Sequence, residues 1–301
     1  MKHLAPIAFI CYNRYDHLTK SLKSLKRNKL AKNSKIYIFS DGPKNSDDIK
    51  KINKIRSYLK KLKGFKSKTY FFRKKNMGNK LNIVSSVNEV LKKNSKIIVV
   101  EDDLVVSGSF LFFMNNCLNY YSDQKKIWHI NGWSYPFLRN NKDDIIFLKS
   151  MNCWGWATWK NRWNKISLNE EKYISIFSKK MIHNFDIESS TNNWSQMIRN
   201  KKKLLNTWAV FWHATIFSHN GITIYPKFSL VKNIGTDGSS RMAKTDEFKT
   251  TFKDNFTQFK LNNNIDVKRK FRESEFNHFL KKNKFRRKIF VYLKKFWFNS
   301  Y

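Results

Sequence analysis

Ile97-Ile98-Val99-Val100-Glu101-Asp102-Asp103-Leu104 decides how this chain is read. Four apolar, mostly β-branched residues suit a buried strand. Three carboxylates follow at once, where that strand has to end. Adjacent negative charges repel one another and resist burial. The triplet is therefore either an acidic surface turn or the place where a sheet edge meets a cation. A hard divalent ion, Mg2+ or Mn2+, takes oxygen ligands. In open α/β sheets, ligands sit off the carboxyl ends of the strands. The stretch points to a metal-assisted site for a phosphate-bearing substrate.

Working outward, residues 1–131 alternate in period. Ile7 to Tyr12, Ile36 to Phe39, Lys68 to Phe72 and Ile127 to Ile130 read as further strands. Tyr15 to Lys26 carries Leu18, Leu22 and Leu25 at helical spacing. Ile49 to Leu62 is a second amphipathic helix, opened by Ser46-Asp47-Asp48, and Leu81 to Leu91 a third. This β-α-β-α order predicts an α/β fold with a mostly parallel sheet and right-handed crossovers. Residues 132–240 break the alternation and hold eight of the ten Trp. Leu205 to Ser218 looks helical up to Gly221, and Ile222 to Tyr225 reads as a short strand. Residues 232–245 have a loop composition. The expected division is an α/β domain over 1–245, with a nucleotide-type half (1–131) and a Trp-rich half (132–245), and a basic aromatic tail over 246–301.

Lys+Arg 60 against Asp+Glu 22 gives a formal charge of +38. That field favours anionic partners, whether membrane headgroups, nucleic acid or nucleotides. Much of the Lys is spread evenly beside Asn, as a coding bias would also leave it. Cys11, Cys117 and Cys153 are odd in number and far apart, which supports neither a disulfide framework nor a zinc site. No cleavable signal peptide is visible, and no apolar run approaches the roughly 20 residues that span a bilayer. The expectation is a cytoplasmic protein, peripheral at the inner face of the membrane. Residues 285–298 mix Arg286, Arg287, Lys288, Lys294 and Lys295 with seven large apolar side chains, the composition of an interfacial helix or of a docked C-terminal helix.

Five ordered segments resemble a known family. Ala5 to Arg14, Ser40-Asp41-Gly42, Glu101-Asp102-Asp103, Trp154 to Trp159 and Ser229 to Gly238 together are similar to GT-A fold bacterial glycosyltransferases related to the N-acetylglucosaminyltransferase I family. The resemblance covers roughly residues 4–240. It implies a nucleotide-diphosphate sugar donor, a uridine diphosphate sugar first, a Mn2+ or Mg2+ cofactor and inverting transfer. The acceptor would be a surface glycan such as lipopolysaccharide, capsule or another lipid-linked glycan.

The resemblance also implies roles. Asp103 would ligate the metal directly, with Glu101 and Asp102 holding ribose, metal waters or backbone. Arg14 would meet the diphosphate, for which a guanidinium fork is suited, although a surface Arg at a helix start would look the same. Asp41 would accept from the base edge, although an Asp-Gly turn also forms for local reasons. Read from its own residues, Asn76-Met77-Gly78-Asn79-Lys80 before the third helix is either a cradle for the sugar donor, through backbone N–H groups and Lys80, or an ordinary Gly turn. Trp154 and Trp156, flanking Gly155, would shape the acceptor side or simply form core. An inverting transferase needs a carboxylate base. The family's acid falls in a Trp-Asp-Asp-Trp segment, whereas here Trp208-Ala209-Val210-Phe211-Trp212 carries none. Asp237 and His213 are the candidates, with Asp186 and Glu188 behind them. The competing readings are a nucleic-acid-binding protein, favoured by charge and aromatics, and a non-catalytic scaffold of glycan assembly.

Overall fold

A computed structural model of the chain describes residues 3–187, 191–238 and 250–265. The strands are β1 (Ile7–Cys11), β2 (Lys35–Ser40), β3 (Ser67–Phe72), β4 (Lys96–Glu101), β5 (Leu104–Val106), β6 (Ile127–Asn131), β7 (Ile145–Leu148), β8 (Trp156–Trp159), β9 (Ile222–Pro226) and β10 (Val231–Asn233). The helices are α1 (Tyr15–Lys26), α2 (Ser46–Lys60), α3 (Gly78–Lys93), α4 (Phe110–Tyr120), α5 (Lys160–Trp163), α6 (Glu170–Ile176), α7 (Lys179–Phe185), α8 (Asn193–Lys201) and α9 (Ala209–Ser218).

Eight strands form one sheet in the order β3-β2-β1-β4-β8-β6-β9-β7, and β5 pairs with β10 in a separate ribbon. The β3-β2-β1-β4 half is wholly parallel. Only β8 and β7 run against the rest. The expected mostly parallel α/β sheet is what forms. The central strands are buried on both faces and read as continuous apolar runs, as in Ile97–Val100, whereas β3 at the edge is exposed to half-buried.

Strand order reverses direction at β1. The chain steps outward from β1 through β2 to β3, then returns to lay β4 on the other side of β1. Between β1 and β4 lies the topological switch point, where a crevice opens at the strand ends. The register Ile10↔Glu101 brings Tyr12–Arg14 beside Glu101–Asp103 there. One sheet face, with Ala8, Ile10, Phe39, Ile97 and Val99, packs against Ile83, Val87 and Val90 of α3 and against Trp208, Trp212 and Ile216. Trp156, Trp163 and Trp208 are largely or wholly buried in that same cluster.

Two compact units emerge. One holds residues 3–168 and 206–265, and the other includes 169–205. The second unit packs α6 to α8 around aromatic rings, with Phe177 stacked on Trp194 at 5.5 Å and edge-on to Phe185 at 5.4 Å. Past residue 131, β7 to β9 continue the sheet. Residues 250–265 group with the first unit. Phe256 is buried and its N–H donates to Ser109 Oγ, while the Asn262 N–H donates to Tyr121 Oη. Residues 266–301, the larger part of the expected tail, lie outside the described residues.

Candidate functional site

β1 ends at Cys11, and the chain turns sharply into α1. Asp48, near the start of α2, holds that turn. It accepts from the Tyr12 hydroxyl, from Asn13 Nδ2 at 2.6 Å and from the Lys44 N–H at 3.2 Å. Burial raises the Asp48 carboxyl, but these bonds outweigh it and leave it below its ordinary value. Arg14 is thereby aimed at the end of β4. Its Nη2 bridges Asp102 Oδ1 at 2.7 Å and Asp103 Oδ2 at 2.9 Å. Burial lowers the guanidinium pKa, yet the two carboxylates raise it further, so Arg14 is a fixed cation. Its Nη1 is buried and has no hydrogen-bond partner among the described residues.

The three acids take different parts. Asp102 is buried and internally satisfied, since its Oδ2 also accepts from the Tyr12 N–H at 2.9 Å. Burial raises its pKa, Arg14 opposes, and the net is upward. Asp103 is more open, with 19% of its side chain exposed. Burial, then Asp103 and Asp102, push Glu101 up to about 8. Glu101 therefore keeps its proton near neutral pH, while Asp102 and Asp103 share one guanidinium, and the excess negative charge is what a divalent cation would satisfy. Among the described residues no cluster of three or more His, Cys, Asp or Glu side chains is arranged to hold a metal ion. The chain would supply one or two oxygens, as is usual where phosphates and waters complete the shell.

A strap covers these acids. β10 pairs antiparallel with β5, and the Ile234 N–H donates to Asp103 O at 2.8 Å. The strap then passes so close that a β-carbon on Gly235 would lie 2.5 Å from Asp103 Oδ2. His17, in the first turn of α1, fastens it. Its Nε2 lies 3.2 Å from Ile234 O and 3.1 Å from Asp237 Oδ2. Asp237 is about half exposed. The sequence reading missed His17; the only signal was a His one helical turn beyond Arg14.

Other expected residues sit differently. Asp41 is buried, and its carboxylate accepts from the N–H groups of Gly42, Met77 and Gly78 and from Asn76 Nδ2. Those donors fill the roughly four acceptor sites of a carboxylate. Asp41 therefore clamps the 76–78 turn instead of offering oxygens to a base, and the same bonds occupy the Met77 and Gly78 N–H groups expected to cradle the sugar donor. Lys80 lies in the first turn of α3 with its Nζ 4.0 Å from the Phe211 ring centroid. His213 is buried on α9, its Nε2 3.4 Å from Lys149 O, and burial brings its pKa down to about 4. That environment is a core histidine's. Gly155 meets Val231 and Phe110 side chains rather than a ligand-facing opening, and Trp156 is core, stacked on Trp208 at 5.2 Å. Asp186 belongs to the second unit and accepts from the Trp194 N–H. Glu188 lies outside the described residues.

No family model matches the sequence, and no curated protein is similar to it. Among solved structures, the chain is similar to the mannosyltransferase PcManGT from Pyrobaculum calidifontis in complex with GDP-Man and Mn2+, at 8% identity over 72% of this chain and 71% of that one, with a TM-score of 0.38. It is also similar to S. aureus TarS, at 12% identity over 52% of this chain and 47% of that one, TM-score 0.34. An active-site mutant of LgtC gives 11% identity over 58% and 66%, TM-score 0.35.

Proposed function

We propose that the chain is a GT-A type glycosyltransferase that draws on a nucleotide-diphosphate sugar, with a divalent cation on Asp103. The observation that carries this reading is the switch-point cluster. Arg14, Glu101, Asp102 and Asp103 meet at one strand edge, with Arg14 Nη1 buried and without a hydrogen-bond partner among the described residues. A buried donor without an acceptor is rare in folded proteins. A diphosphate oxygen is the acceptor a guanidinium binds best.

In the proposed reaction an acceptor hydroxyl attacks the anomeric carbon while the bond to the diphosphate oxygen breaks. Arg14 stabilises the charge that develops on the departing diphosphate. The cation, held by Asp103, would neutralise the same group. Asp102 and Asp48 position Arg14. Asp237, open to solvent on the strap, is the carboxylate we assign to take the hydroxyl proton. UDP-sugar as donor and a lipid-linked or capsular glycan as acceptor complete the proposal.

A thermal-shift panel of nucleotide sugars with and without Mn2+ tests it. A matching sugar donor raises the midpoint only with Mn2+, by mass action. Asp103→Asn should fold and lose at least about tenfold in Mn2+-supported affinity, the order of one charge-assisted contact. Unchanged affinity would remove Asp103 from the site, and a panel with no stabilising sugar nucleotide would remove the transferase reading.

A further inference from the structure

We infer that the outer face of α1, with Tyr58 of α2, forms a binding cleft for a multivalent phosphate-bearing anion. The cleft holds about 590 Å3 and is lined by Thr19, Lys20, Lys23, Lys26, Arg27 and Tyr58. None of these residues is acidic. The proposal does not depend on the transferase reading, because the cleft shares no residue with the Arg14 cluster.

Spacing concentrates positive charge on this face. Lys20–Lys23 and Lys23–Lys26 are i, i+3 pairs, and Lys23–Arg27 is an i, i+4 pair, so each puts like charges side by side on one helix face. Such pairs destabilise a helix unless opposite charge intervenes. Among the described residues no carboxylate pairs with Lys20, Lys23 or Lys26. Arg27 reaches Asp254 only at 3.9 Å, with both side chains more than half exposed. Lys23 and Lys26 in the last turn do complement the helix dipole. That explains neither Lys20 nor the concavity. An anion with several negative oxygens would relieve all three repulsions together.

Tyr58 gives the cleft an aromatic wall. Its ring stands edge-on to Tyr15 at 5.7 Å, and Lys54 Nζ lies 4.2 Å from the Tyr15 centroid. Burial and the neighbouring Tyr15 raise the Tyr58 phenol, so it stays a neutral donor beside the cations. Cations next to an aromatic face suit a phosphate ester carrying an organic group better than a bare ion. The phosphate belongs either to a soluble ester or polyphosphate or to a lipid headgroup.

The alternative is that +38 binds any anion anywhere. A charge-matched comparison separates the two. Lys20→Gln/Lys23→Gln/Lys26→Gln is compared in the full chain with Lys93→Gln/Lys125→Gln/Lys126→Gln, three exposed lysines outside the cleft. Gln keeps helix propensity close to that of Lys. Circular dichroism checks folding of both, and Tyr58→Ala serves as a variant that leaves the charge unchanged. Fluorescence competition with tripolyphosphate reads the soluble source, and co-sedimentation with phosphatidylglycerol vesicles reads the headgroup source. The expected result is at least a tenfold weakening in one of the two arms for the cleft variant, less than twofold for the control, and a loss for Tyr58→Ala. Equal weakening in both lysine variants, or no change in either arm, overturns the cleft.

Discussion

At Gly235 the strap has no space for a side chain. A β-carbon there would also lie 3.0 Å from Arg14 Nη1, the donor we assign to the diphosphate. Gly235→Ala must push the strap off Asp103 or displace the Arg14 fork. The strap runs along the edge, so the fold should survive at a cost of about 1–3 kcal/mol, the usual range for overpacking. Mn2+-supported binding of the sugar donor, measured by calorimetry, should fall at least tenfold; retention would show that the strap is not part of the site. His17 and Asp237 separate in a similar way. If Asp237 only fastens the strap, His17→Ala and Asp237→Asn lower turnover alike. As the base, Asp237→Asn should cost about 100-fold or more in kcat with sugar-donor affinity kept. His17→Ala should cost much less.

At the scale of elements, β6 and α9 are joined by a buried polar chain. Trp212 Nε1 donates to His129 Nδ1 at 3.1 Å, and His129 Nε2 lies 2.9 Å from Asn152 O. That pairing fixes a neutral imidazole with its proton on Nε2. Burial lowers His129 to about 3 and the adjacent His213 to about 4. An unfolded imidazole takes its proton near 6.5, so below that pH the unfolded chain binds more protons than the native one. The contribution of each histidine is complete above about pH 6.5 and is lost as pH falls toward the native value. His213→Asn should remove its share. Between pH 7 and pH 4 the variant should lose up to about 3 kcal/mol less stability than the parent in urea titrations. Parallel pH profiles would show that His213 titrates normally. The same region explains what the sequence left hidden. The strands β1 to β4 and helices α1 to α3 are legible because their periods differ, and α2 adds a cap, Asn45 accepting the Asp48 N–H. Trp156–Trp159 is a strand of four residues, all buried, whose Trp content reads as generic core. Phe110–Tyr120 is apolar nearly all round, so it shows no helical stripe. Asp41 has the expected place at the end of β2, but nothing local reveals that the 76–78 turn, far along the chain, would take its oxygens.

For the molecule as a whole, the charge of +38 divides into parts that the structure treats separately. Arg14 is spent within the acidic cluster, and the α1 face is proposed as an anion cleft. The basic aromatic segment 285–301 lies outside the described residues, and its role rests on composition. Among the described residues no helix is long and apolar enough to cross a membrane. Arg286, Arg287, Lys288, Lys294 and Lys295 would each contribute on the order of 1 kcal/mol near an anionic surface, and Phe290, Phe296, Trp297 and Phe298 would add an apolar contribution. That sum would suffice for reversible attachment, which would concentrate the chain beside the proposed lipid-linked acceptor. Deleting 285–301 should lower partition onto phosphatidylglycerol vesicles at least tenfold, and the difference should shrink in high salt. Tripolyphosphate binding at α1 and Mn2+-dependent stabilisation by the sugar donor should be unchanged. A truncated chain that still floats with the vesicles would move membrane attachment away from the tail. One that loses its cooperative unfolding transition would make the segment part of the core.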